Sequence, residues 1–159
     1  MKELIKKLTE AFGPSGQEEG VRNSILAEIK RDVDETRVDA LGNLIAVKRA
    51  TPSRKGSSSP LKVMLAAHMD EIGVIVTHVD DKGFLRFAPV GGVTSLILLG
   101  GRVVFADGTL GTFGLEKRES PNKMPKLTEM YLDVGARDKE SVPVSVGDIA
   151  AFERDFADL

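Results

Sequence analysis

An apolar run that ends in a histidine constrains the fold of this chain more than any other feature of its sequence. Residues 61–70 read LKVMLAAHMD, so that the apolar stretch Val63–Ala67 comes directly before His68 and Asp70. A continuous apolar run of this kind predicts a strand over Leu61–Ala67 that is buried on both faces of a sheet. Open α/β sheets bind ligands beyond the carboxyl ends of their strands. The run therefore predicts that His68 lies in a cleft, as a metal-binding or proton-transferring imidazole.

Asp70 offers His68 a partner close by in the sequence. A metal-bound imidazole needs a carboxylate or carbonyl on its other ring nitrogen, which fixes the tautomer and the orientation of the ring. We expect Asp70 to hold His68 in this way. A single histidine beside an apolar strand is more often a hydrogen-bonded core residue, but the strand end and the neighbouring carboxylates favour a ligand. The other histidine, His78, lies within a predicted strand and is expected on a barrel face.

The composition excludes several classes of protein. The chain has 159 residues, of which 42% are apolar and 29% charged, as in globular domains with a core. The net charge of −2 leaves no dense basic face for nucleic acid, and the absence of cysteine excludes disulfides and thiolate zinc sites. No segment has the length and apolar character to span a bilayer or to act as a signal peptide. We therefore predict a cytoplasmic location without a membrane or nucleic-acid partner.

The first part of the chain combines helical and extended patterns. Two amphipathic helices come first, and Ser15 followed by Glu18 predicts a capping box at the start of the second. Strands over Glu35–Ala40 and Leu44–Lys48 with a turn at Gly42–Asn43 then predict a hairpin. Together with the apolar run before His68, these elements indicate an α/β segment.

The pattern changes after Glu71. Short strands now alternate with turns that contain glycine, which indicates a small closed or nearly closed β-barrel. The predicted fold class is therefore α/β, with an α/β segment over residues 1–71 and a β-barrel module over residues 72–159.

The segment His68–Gly73, which reads HMDEIG, resembles the metal-site segment of the M42 metallo-aminopeptidases, the group of glutamyl and tetrahedral aminopeptidases. The resemblance covers nearly all of the chain, because further stretches agree in the same order. They are Gly13–Gly16 with Glu18, Asp39–Leu44, Leu98–Val103, Glu129–Ala136 and Val146–Asp148.

The resemblance implies a two-metal site, with zinc or cobalt, in an α/β catalytic domain that is interrupted by a small β-barrel or PDZ-like dimerisation domain. Residues 1–71 would then be the incomplete N-terminal part of the catalytic domain, and residues 72–159 the oligomerisation domain. It also implies that His68 is a metal ligand and that Asp70 orients it. The implied reaction is attack of a metal-activated water on the first peptide bond of a peptide substrate, with a glutamate as general base.

The sequence departs from the family in length. The remaining metal ligands and the general base of the family follow the barrel, and they have no counterpart here. We therefore expect an N-terminal portion that is inactive alone, with a metal site that need not be occupied. The alternatives are one half of a split enzyme and a non-catalytic oligomerisation or interaction module. Glycoside hydrolysis is disfavoured, since no carboxylate pair is defined and aromatic residues are few. Because the apolar strand lacks partners, we also expect a homo-oligomer.

Overall fold

The structure is a computed structural model that describes residues 1–51, 61–118 and 122–158 of a mixed α/β chain. Its helices are α1 (Lys2–Thr9), α2 (Glu19–Ile29) and α3 (Ser95–Leu98). Its strands are β1 (Glu35–Val38), β2 (Leu44–Val47), β3 (Gly73–Val79), β4 (Leu85–Val90), β5 (Arg102–Phe105), β6 (Leu110–Leu115), β7 (Met130–Asp133) and β8 (Ile149–Phe152). Single 3₁₀ turns cover Leu127–Glu129 and Lys139–Ser141. No helix in these ranges has the length and apolar character needed to cross a membrane.

Strands β3 to β8 close into a six-stranded barrel in the order β3-β4-β7-β6-β5-β8. Every neighbouring pair is antiparallel, and β8 closes the barrel by pairing with both β3 and β5. The inward side chains form one buried apolar cluster. Its most buried members include Val74, Val76, Leu85, Leu98, Val103, Met130, Leu132 and Ala150. The prediction of a closed barrel is confirmed, whereas its PDZ-like character and the domain boundary after residue 71 stay predictions.

The predicted N-terminal hairpin is also confirmed, as the antiparallel pair β1 and β2. The Asp39 carboxylate accepts the backbone N–H groups of Leu41 and Asn43, each at 3.0 Å, and so stabilises the turn. Gly42 has a φ of 86°, a conformation that glycine adopts at little steric cost. These local contacts explain why the hairpin forms although β1 is exposed along its whole length.

The second helix was predicted correctly, but its predicted capping box is wrong. The Glu18 carboxylate accepts the N–H of Gly16 at 2.6 Å, and α2 begins with no side-chain cap from its N-cap residue Glu18. The Ser15 hydroxyl instead donates to Asp70, outside the helix. The capping prediction failed because a carboxylate distant in sequence competes for the same hydroxyl.

The predicted buried strand over Leu61–Ala67 is wrong for the described chain. Residues 61–68 are exposed and adopt no regular structure, and the strand pairs of the described residues do not include them. A strand that is apolar on both faces requires neighbouring strands and covering layers. Without such partners in the described ranges, the apolar pattern alone does not produce a strand.

Candidate metal centre

Two segments that are distant in sequence, Gly13–Ser15 and His68–Glu71, lie side by side. The Glu71 N–H donates to the carbonyl of Gly13 at 2.9 Å, and the Ser15 N–H donates to the carbonyl of Glu71 at 3.3 Å. Gly13 and Pro14 are both buried, and a Cβ at Gly13 would lie 2.3 Å from a methyl group of Val21. Glycine at position 13 thus allows the loop to pack closely on α2. The two backbone bonds then place Ser15 beside Asp70.

The Asp70 carboxylate connects Ser15 to His68. Its Oδ2 accepts the hydroxyl hydrogen of Ser15, and its Oδ1 lies 3.0 Å from Nδ1 of His68. The backbone carbonyl of Asp70 lies 2.9 Å from the same ring nitrogen. The hydrogen bond from Ser15, followed by that from His68, holds the pKa of the Asp70 carboxyl below its ordinary value. Asp70 therefore stays ionised and remains an acceptor for both partners.

The two Asp70 oxygens near Nδ1, Oδ1 and the backbone carbonyl oxygen, also define the tautomer of His68. A carboxylate and a backbone carbonyl can only accept hydrogen bonds, so Nδ1 of the neutral ring must carry the proton. The lone pair is then on Nε2, the nitrogen that can bind a metal ion. The side chain of His68 is 84% exposed, which leaves the ring open to solvent. His68 is therefore not a core histidine, as the alternative interpretation would require. It also does not lie in a cleft, so that prediction from the apolar run is wrong for the described residues.

This arrangement fits one ligand of a metal site. Metal-binding histidines donate their second ring N–H to a carboxylate or carbonyl, as His68 does. A catalytic zinc ion, however, takes three protein ligands and one open position. Among the described residues, no three His, Cys, Asp or Glu side chains come together in a group that could hold an ion. The candidate centre among the described residues therefore consists of the His68 imidazole and the Asp70 groups that hold it.

Glu71 has a different role from its neighbours. Its carboxylate accepts the N–H of Gly13 at 3.0 Å, and its half-buried position raises the pKa of the side chain. It lines a groove of about 620 Å³ between α1, β8 and residues 153–156. Neither His68 nor Asp70 belongs to the described residues that line this groove. Glu71 is thus an anchor between the two segments, apart from the exposed imidazole.

The contacts of Ser15 and Glu71 at this site were not predicted from the sequence. Ser15 and Asp70 are 55 positions apart, and helix and strand periodicity carries no information about such a contact. Their nearest sequence signal is the glycine and proline of Gly13–Pro14, a pair that indicates a turn but not its tertiary partner. The spacing of His68 and Asp70, in contrast, predicted their contact.

Comparisons with known proteins identify relatives of this chain. The model of the M42 glutamyl aminopeptidase family matches residues 42–159. A protein of Acetivibrio thermocellus, named provisionally as an aminopeptidase, is 49% identical over 157 residues, which are 98% of this chain and 45% of the relative.

Solved structures give the same result. An aminopeptidase of the archaeon Desulfurococcus kamchatkensis superposes with a TM-score of 0.85 at 44% identity, over 99% of this chain and 44% of its own. The TET1 peptidase of Pyrococcus horikoshii can assemble into a tetrahedron or a large octahedral shell. It superposes with a TM-score of 0.79 at 34% identity, over 98% of this chain and 47% of its own. The chain thus spans less than half the length of each of these relatives. From the family match over most of its length, we conclude that this chain belongs to the M42 glutamyl aminopeptidase family.

Proposed function

We propose that this chain supplies one metal-ligating arm of a metallo-aminopeptidase that removes N-terminal residues from peptides. His68 is the ligand, through Nε2, and Asp70 holds the ring from the other side. The observation that carries the proposal is the pair of contacts from Nδ1 to the carboxylate and the carbonyl of Asp70, at 3.0 and 2.9 Å. In a member of this peptidase family, these contacts prepare an exposed imidazole to bind zinc or cobalt.

The described residues require help from other polypeptide to complete such a centre. We propose that the remaining ligands and the general base lie outside them, since no three potential ligand side chains come together among the described residues. When bound, zinc or cobalt supplies a water molecule activated for attack on the peptide bond. The contribution of this chain is to keep the proton on Nδ1 and the lone pair on Nε2, so that the ligand needs no rearrangement before it binds.

Paramagnetic NMR tests the ligand assignment directly, because the chain has only two histidines. With Co²⁺ added, we expect the ring resonances of His68 to broaden at lower metal concentration than those of His78, which is exposed on the barrel. The variant His68→Ala should lose the broadening of resonances near position 68, whereas His78→Ala should keep it. Equal broadening of the two rings, or broadening that survives in His68→Ala, would contradict the proposal.

A chimera tests the peptidase chemistry. This chain would replace the matching 45% of the Acetivibrio relative, which is 49% identical to it. We expect the chimera to hydrolyse amino-acid anilides in the presence of zinc or cobalt, and His68→Ala to abolish turnover. The isolated chain should show none with either metal. Turnover by the isolated chain, or activity of the chimera that survives His68→Ala, would show that the site lies elsewhere.

We further propose that the chain forms homo-oligomers. The second candidate function is therefore that of an oligomerisation module. The support is the self-contained barrel and the assembly of the related TET1 peptidase. The exposed apolar side chains of Leu61, Val63, Met64 and Leu65 add a surface that favours association. Sedimentation of the isolated chain tests this, and a monodisperse monomer at micromolar concentration would refute it.

A further inference from the structure

We propose that Ser15 is a positioning residue for the His68 imidazole and acts through Asp70. The inference rests on the proposed function, since it concerns how the metal ligand of that function is held. The Ser15 hydroxyl donates to Oδ2 of Asp70, while Oδ1 of the same carboxylate faces Nδ1 of His68. One carboxylate therefore has each oxygen fixed by a different partner. The orientation of the ring then depends on a loop more than fifty positions away in sequence.

The hydroxyl of Ser15 is held in place by the backbone around it. The Ser15 N–H is bonded to the carbonyl of Glu71 at 3.3 Å, and the Gly13 carbonyl accepts the Glu71 N–H at 2.9 Å. The side chain of Glu71 adds a further bond, which it accepts from the N–H of Gly13 at 3.0 Å. With Pro14 buried between these bonds, the loop has little freedom to withdraw the hydroxyl from Asp70. Ser15 is thus preorganised rather than a surface serine that meets a carboxylate by chance.

The Asp70 carboxylate needs such a restraint because it is partly open to water. Its side chain is 39% exposed, and the ring of His68 is more exposed still. Without the hydroxyl, the carboxylate can rotate towards solvent and leave Nδ1 with the backbone carbonyl alone. Two acceptors on one side of the ring strongly favour the Nδ1–H tautomer, and a single acceptor favours it less. Ser15 should therefore control the fraction of rings whose Nε2 is free to bind a metal ion.

The test is the tautomer of His68, measured by long-range ¹H–¹⁵N NMR on the metal-free chain at a pH where the ring is neutral. We expect Nδ1–H to predominate in the wild type. In Ser15→Ala the ratio of Nδ1–H to Nε2–H should fall about threefold. A change of this size corresponds to losing part of the net contribution of one hydrogen bond. Asp70→Ala should lower the ratio further, by about tenfold, because it removes the carboxylate itself. The tautomer ratio of His78, measured in the same spectra, serves as the internal control and should not change.

Matched variants separate the hydroxyl from other effects. Ser15→Thr keeps the hydroxyl and should retain the wild-type ratio, whereas Ser15→Val, which has the shape of threonine without its hydroxyl, should lose it. This pair decides the test even if Ser15→Ala proves unstable. Ser145→Ala, at an exposed serine of the barrel region whose backbone N–H bonds to Asp148, should leave the ratio unchanged. A ratio equal in Ser15→Thr and Ser15→Val, or unaltered in a folded Ser15→Ala, overturns the proposal.

Failure of this proposal can be distinguished from failure of the proposed function. The tautomer is measured without metal or peptide, so a Ser15 variant with no effect would leave His68 as a ligand in the Co²⁺ experiment. Conversely, a clear effect of Ser15 combined with no Co²⁺ binding at His68 would retain the Ser15–Asp70–His68 connection and refute the metal-binding function.

Discussion

The barrel and the N-terminal region differ in how completely each satisfies its own apolar residues. The buried core cluster lies wholly within the barrel region, between Val74 and Ala150. In the described part of the first 72 residues, Val21 is buried but lies outside this cluster, and residues 61–68 are exposed. In a closed barrel every strand pairs with two neighbours. An apolar pattern is therefore sufficient to predict a strand there. A strand pattern without neighbours does not determine a strand.

The largest expected effect contrasts one leucine from each region. Leu132 is fully buried in the barrel and Leu65 is 93% exposed in the apolar run. Leu132→Ala should lower the free energy of unfolding by about 2–5 kcal/mol, because it removes buried apolar surface and leaves a cavity. Leu65→Ala should change it by less than about 0.5 kcal/mol.

Chemical denaturation of the two variants, followed by a probe of β-structure, measures both effects. The comparison would fail if Leu65→Ala were as destabilising as Leu132→Ala. That result would mean that the run 61–67 is packed in solution, for example against a second copy of the chain.

The next effect concerns Gly73, where the barrel begins. A Cβ at this position would lie 2.4 Å from the carbonyl oxygen of Ala150 on β8 and 3.4 Å from the Cβ of Pro14. Gly73→Ala should therefore cost about 1–3 kcal/mol of unfolding free energy, since a backbone atom must move. Gly92→Ala is the matched control, because its Cβ would meet nothing within 4 Å and Gly92 has no positive φ. Equal stability of the two variants would show that β3 and β8 do not pack closely enough at Gly73 to exclude a methyl group.

The barrel shows how far local sequence patterns reach. Strands β5 and β6 confirm the predicted alternation of short strands with glycine-containing turns, because short apolar stretches and a turn at a glycine such as Gly108 are local signals. The same reasoning misassigned Leu61–Ala67, where burial would depend on partners from elsewhere. Pattern reasoning identified which residues are apolar, but the strands available to pair with them decided the structure.

The site divides in the same way. The contact between His68 and Asp70 follows from a spacing of two residues, so it was accessible from the sequence. Ser15 reaches Asp70 only because the loop before α2 folds against Glu71, a contact across more than fifty positions. Its sequence context favoured the competing local role of a helix cap. Tertiary contacts of this kind cannot be derived from periodicity or spacing.

A third prediction concerns association through the exposed apolar run. We expect Leu65→Asp to raise the dissociation constant of the homo-oligomer about tenfold, equivalent to about 1.4 kcal/mol, because it places a charge in the apolar surface. Leu41→Asp changes a leucine of similar exposure in the hairpin turn and should alter the constant less than about twofold. Sedimentation over a range of concentrations measures both. An equal effect of the two variants would remove the special role of the run.

The smallest expected effect is the pH dependence that Glu71 contributes where the segments Gly13–Ser15 and His68–Glu71 meet in the N-terminal region. Burial raises the pKa of Glu71 above its ordinary value of 4.5, with a smaller opposing effect from the Gly13 N–H. Between the unfolded and the folded pKa, the folded chain keeps a proton that the unfolded chain has lost. The free energy of unfolding contributed by this group therefore falls as the pH rises through that window.

Glu71→Gln tests this dependence, because glutamine does not titrate and its amide oxygen can still accept the Gly13 N–H. The variant should gain stability relative to the wild type as the pH rises above about 4.5 and keep that gain at neutral pH. Glu140→Gln, at an exposed position of the barrel region, serves as the control. Denaturation curves between pH 4 and 7 measure the difference. If the difference between Glu71→Gln and wild type did not grow with pH, the carboxylate would be as well hydrated in the folded chain as in the unfolded one. The contact between the segments Gly13–Ser15 and His68–Glu71 would then be open to water.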